Sequence, residues 1–134
     1  MIPPFDDFGN LPHGIYRCSV EEIVERFGTG SPEREVQTEE LLELIAWAKK
    51  AAVKRLIVNG SYATNKVAPN DVDVIILPGP GYPADEQSIG DENVTWPFLQ
   101  VIVAADDNDF DRWALEDFGT DRNLYEKGVL EIIL

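Results

Sequence analysis

"RLIVNGSYATNKVAPNDVDVIIL", residues 55–77, decides the fold. It holds two apolar runs, "RLIVNG" at 55–60 and "DVDVIIL" at 71–77, joined by residues 61–70. The first run is short and almost wholly apolar, the pattern of a strand buried on both faces and central in its sheet. In the second, side chains at i and i+2 share a face, so Asp71 and Asp73 project together, about 6–7 Å apart along the backbone. Val72 and Val74 point the other way. Two carboxylates so close raise one another's pKa unless a cation neutralises them. Oxygen ligands of this kind suit Mg²⁺, and Mg²⁺ neutralises the oxygens of a phosphoryl group undergoing transfer. Gly60 and Ser61 lie just past the first strand. A glycine there lets backbone approach a ligand, and the amides and hydroxyl suit a phosphate. Pro69-Asn70 turns the chain directly into Asp71. The plain alternative is that Asp71 finishes that turn and both carboxylates are simply solvated.

Outward from this stretch the chain reads as alternating elements. Residues 1–18 carry three prolines and read as an irregular arm. "SVEE" at 19–22 is a capping box, with Ser19 and Glu22 exchanging bonds, and opens a short helix to about Phe27, closed by Gly28. Ser31 and Pro32 open a second helix, in which Leu41, Leu44, Ile45, Ala48 and Ala52 share one face. "PGPGYP" at 78–83 stops the second strand. Residues 84–95 read as a polar surface loop. A third strand follows at 98–105. A helix over 107–119 has Phe110, Trp113, Ala114 and Phe118 on one face and Gly119 as its C-cap. A fourth strand spans 128–134. The expectation is one α/β (α+β) domain over 1–134, a small mixed sheet of about four strands flanked by two or three helices.

The chain has 134 residues and 44% of them are hydrophobic, enough for one core. No apolar run reaches the roughly 20 residues of a membrane span, and the N-terminus lacks the form of a signal peptide. Cys18 stands alone, which fits a buried thiol in a reducing cytoplasm. There are 25 acidic residues against 11 basic ones, a net charge of −14. A field of that sign disfavours non-specific nucleic-acid binding. It leaves open a cation, a basic partner or a solvated surface.

Together, "VNGS" at 58–61 and "DVDV" at 71–74 resemble the nucleotidyltransferase superfamily with its polymerase-beta-like fold, in particular its short bacterial members. The resemblance covers about residues 32–105. It implies that Gly60 and Ser61 contact nucleotide phosphates, that Asp71 and Asp73 hold Mg²⁺, and that Lys66 is the basic residue for a triphosphate. It also implies transfer of a nucleoside monophosphate from a nucleoside triphosphate, with ATP expected, to a protein, RNA or small acceptor. A third acid is expected on the next strand, where Gln100 stands at the aligned position. Glu131, between apolar residues, is the candidate to replace it, with Asp106 and Asp107 as substitutes or as helix caps. The alternative is a catalytically impaired protein on the same fold, an antitoxin-like partner of a helical or basic protein. The chain is short for a transferase, so a partner or a second copy would complete the cleft. His13 has no metal-ligand neighbours in sequence. Trp47, Trp96 and Trp113 read as core or cover, with Trp96 also placed to stack on a base. Asp121 and Arg122 read as a surface turn.

Overall fold

A computed structural model of the chain describes residues 2–82, 96–117 and 127–134. The expectations for the loop at 84–95, for Phe118 and Gly119, and for Asp121 and Arg122 lie outside those residues. Element order is β1 (Gly14–Cys18), α1 (Val20–Phe27), α2 (Pro32–Lys50), β2 (Val53–Asn59), β3 (Val72–Pro78), β4 (Leu99–Val103), α3 (Asp107–Arg112) and β5 (Gly128–Ile132). A 3₁₀ turn, Ser61–Ala63, follows β2, and a π-type turn, Trp113–Asp117, continues α3. The helices begin where their capping residues sit. Ser19 and Glu22 exchange the two bonds of a capping box, and Ser31 accepts from the Arg34 amide with Pro32 in the first turn.

Five strands form one mixed sheet in the order β1-β5-β2-β3-β4. β2 is antiparallel to both β3 and β5, while β1 runs parallel to β5 and β4 parallel to β3. β2 is therefore central, as its apolar run requires. The strand count exceeds the expected four because β1 lies inside the segment read as an irregular arm. "GIYRC" is short, half-exposed and at the sheet edge, and among the described strands it pairs with β5 alone. A strand held by one distant neighbour leaves no long period-2 signal.

Alternation along the strands gives the sheet two faces with different covers. One face carries Leu56, Val58, Val72, Val74, Ile76 and Leu130, packed against α1 and α2 through Ile23, Phe27, Leu41, Leu44 and Ala48. The other carries Ile57, Ile75, Leu77 and Val129, packed against Phe110 and Ala114 from α3 and the turn after it. Asp73 alternates with Ile75, so its side chain belongs to the α3 face, at the β-sheet end beyond that apolar cluster. No helix among the described residues is long and apolar enough to cross a membrane.

Candidate functional site

The corner between β2 and β3 is built around Gly60. Its φ is +87°, a left-handed conformation that favours glycine. A Cβ added there would sit 3.1 Å from both the amide nitrogen and Oδ2 of Asp73, and 3.2 Å from the Asp71 carbonyl. Glycine is thus the residue that lets the turn press against both aspartates. The Tyr62 amide donates to the Asp71 carbonyl at 3.3 Å, and the Ala63 amide to the Gly60 carbonyl at 3.1 Å.

Ser61 orients Asp71. Its hydroxyl donates to Asp71 Oδ1 at 2.8 Å, and its amide points at the same oxygen at 3.3 Å. The same hydroxyl oxygen accepts from the Asn70 amide at 3.0 Å. Sequence had placed this hydroxyl on a phosphate; the structure engages it with the carboxylate and with the turn that delivers it. Asp73 stands beside Asp71. Its Oδ1 is buried and has no hydrogen-bond partner among the described residues. Burial, and next the charge of Asp71, push its carboxyl up to about 6, against a smaller opposing pull from Lys127. An orphaned carboxylate oxygen next to a second carboxylate is the donor set that a hard cation completes. Magnesium commonly binds through one or two carboxylates, with waters and substrate phosphates making up the rest. Asp71 and Asp73 fit that pattern.

Among the described residues no third acid stands beside them. Cross-strand pairing sets Asp73 opposite Asn59 on one side and opposite Gln100 on the other. A neutral amide therefore occupies the neighbouring strand position. Glu131 lies on the same face but on β5, so β2 separates it from β3, about 10 Å of sheet width. There it is clamped by Arg55, whose Nη2 reaches Oε1 at 2.7 Å and whose Nε reaches Oε2 at 3.0 Å. Arg55 also contacts Asp111 at 3.3 Å and lies over the Phe110 ring. Asp106 caps α3, accepting from the Asp109 amide at 2.8 Å, and Asp107 pairs with Lys54 at 3.7 Å. Both follow β4 at the end away from Gln100. Among the described residues no group of three His, Cys, Asp or Glu is arranged to hold a metal.

Loop 61–70 is held from behind by residues not anticipated as functional. Arg34, on α2, is buried and directs its N–H groups only at backbone oxygens: Phe27, Tyr62, Thr64 and Lys66. The bonds to Tyr62, Thr64 and Lys66 are 2.8, 2.7 and 2.6 Å at their shortest. Gln37 Nε2 donates to the Pro69 carbonyl at 2.7 Å, and the Thr38 and Tyr62 hydroxyls are 2.7 Å apart. The signal for these residues was present. Extending the stripe Leu41–Leu44–Ile45–Ala48 backward at helical spacing lands on Thr38, Gln37 and Arg34. Lys66 is anchored by its carbonyl while its side chain is exposed.

The remaining candidates lie elsewhere. His13 is exposed and lends its carbonyl to the Tyr16 hydroxyl. Trp96 packs on Trp47, ring centroids 6.1 Å apart, and donates to Glu43 on α2, which puts it on the face opposite Asp73. Trp113 packs against the α3-side cluster. Cys18 is fully buried, and burial pushes its thiol up to about 11.

No curated protein and no solved structure matches the chain. The model of one protein family does match, over residues 3–133, and by that match the chain belongs to a family of unknown function, DUF6932.

Proposed function

We propose that the chain is a nucleotidyltransferase-like protein that binds a nucleoside triphosphate with Mg²⁺ at the Gly60–Asp73 corner, and that turnover is impaired. The observation that carries the binding reading is the buried, unpartnered Oδ1 of Asp73 beside an Asp71 already oriented by Ser61. Bound Mg²⁺ would supply charge neutralisation for the phosphate oxygens. The chain itself does the rest. Gly60 keeps the backbone clear of the aspartates, Ser61 holds Asp71 in one rotamer, and α2 fixes the loop from which both are presented. Impairment follows from Gln100, because an amide cannot take the proton of an attacking hydroxyl. The strong acidity of the chain suits a basic or helical partner protein, and an antitoxin-like role is the form this takes.

Calorimetric titration with Mg-ATP and Mg-GTP tests the reading. Wild type is expected to bind at least one of them in a metal-dependent manner, and Asp71→Asn/Asp73→Asn to lose that binding at least tenfold. Equal binding by both proteins, or none by wild type, overturns it. Pyrophosphate release from Mg-ATP by wild type would overturn the impairment alone and restore group transfer as the activity.

A further inference from the structure

Beyond that reading, the structure holds a second feature of opposite sign. A cavity of about 240 Å³ opens between the end of α1, the start of α2 and loop 61–70. Arg26, Arg34 and Lys66 line it, with Thr29, Thr64 and Asn65 as neutral polar neighbours. The chain has 11 basic residues and 25 acidic ones, so an unbiased wall would carry mostly acid. Three of the 11 basic residues line this cavity, and among the described lining residues there is no acid.

The three cations differ in what they have left to offer. Arg34 spends its N–H groups on the carbonyls of Phe27, Tyr62, Thr64 and Lys66, so it lends charge but no donor. Arg26 gives one long bond, 3.4 Å, to the Ile2 carbonyl, and its guanidinium lies 4.4 Å from the centroid of the Phe5 ring. A cation over a ring face uses no N–H donor, so Arg26 keeps donors for a ligand. Lys66 is exposed. Among the described residues neither Arg26 nor Lys66 is in an ion pair. Arg26 and Lys66, in no ion pair among the described residues, share this wall with Arg34, whose partners are neutral; Arg26 also borders a second cavity that Glu22 and Glu25 line. The Thr64 hydroxyl is spent on the Ser61 carbonyl at 2.6 Å, so an arginine edge, an ammonium and the Thr29 hydroxyl are what the cavity offers to the oxygens of a phosphate.

We infer that this cavity is a phosphoryl-oxyanion site, separate from the aspartate pair and on the other side of the loop that carries Ser61. Arg34 bonds that loop at Tyr62, Thr64 and Lys66, so an anion held by Arg26 and Lys66 would brace it from outside. The phosphoryl group is either free or carried on a nucleotide.

The test is thermal denaturation and calorimetry with pyrophosphate and with ADP, in EDTA and at ionic strength held constant with NaCl. Wild type is expected to show a saturable rise in melting temperature with pyrophosphate. Arg26→Gln and Lys66→Ala, measured singly and together, are expected to weaken the apparent affinity, the pair by at least tenfold. Asp71→Asn/Asp73→Asn is expected to keep it, which separates this site from the metal-dependent one. Equal affinity for pyrophosphate and ADP assigns the site to free phosphates; tighter ADP binding assigns it to a nucleotide. No saturable effect in wild type, or the same affinity in the folded double variant of Arg26 and Lys66, overturns the inference. Circular dichroism of each variant establishes that it is folded, and Lys66→Ala, at an exposed position, serves if Arg26→Gln does not fold.

Discussion

The Asp73 carboxyl, pushed up to about 6 by burial and by Asp71, holds its proton over a range in which the unfolded chain has already lost it. Below about pH 4 both states are protonated. Between about pH 4 and 6 the folded state binds more protons, so its stability falls as pH rises through that window. At a partly solvent-accessible carboxyl, screening reduces the effect to roughly 1 kcal/mol. The expected result is that Asp73→Asn is more stable than wild type at pH 7 in EDTA and that the difference vanishes near pH 4, read from urea midpoints. Parallel pH profiles for the two proteins would refute it. That Asp71 and Asp73 come together was legible from residues alone, because strand alternation is a local rule; that Gly60 makes room for them, rather than for a ligand, was not. Neither was the role of Ser61. Which oxygen its hydroxyl meets depends on how residues 61 and 71 come together in space, and spacing in the chain does not carry that.

Helix α2 joins two functions along one stripe. Its C-terminal half, Leu41, Leu44, Ile45 and Ala48, packs on the sheet; its N-terminal half, Arg34, Gln37 and Thr38, is equally buried and serves the loop and Tyr62. The apolar half announced itself by period. The polar half did not, because buried polar residues look like solvated ones until their partners are known. Arg34→Leu would leave several backbone carbonyls without donors inside the fold. The expected cost is about 3 kcal/mol or more, with Arg34→Lys recovering only part, measured by chemical denaturation. A loss under about 1 kcal/mol would show that water replaces the guanidinium. The Arg55–Glu131 clamp is a second case. "VLEIIL" places an acid inside a strand, and sequence cannot tell a reserved acid from a neutralised one. Only the register of β5 against β2 sets Glu131 near Arg55 and across β2 from Asp73.

Across the whole molecule the charge balance of −14 acts as self-repulsion. Raising NaCl from 10 to 150 mM shortens the screening length from about 30 to about 8 Å. A rise of a few degrees in melting temperature is expected from differential scanning calorimetry, and an unchanged or lower value would mean that the described ion pairs outweigh the repulsion. Four strands and the helices were readable because each is continuous in sequence and obeys one period. The order of strands was not, since it rests on pairings between distant segments. The position of β5 between β1 and β2 has an effect on assembly. Until residues 128–132 are available, β1 lacks its partner among the described strands and the central strand lacks one flank. During synthesis, β1 therefore cannot join this sheet before β5 has left the ribosome, however early β2, β3 and β4 have paired.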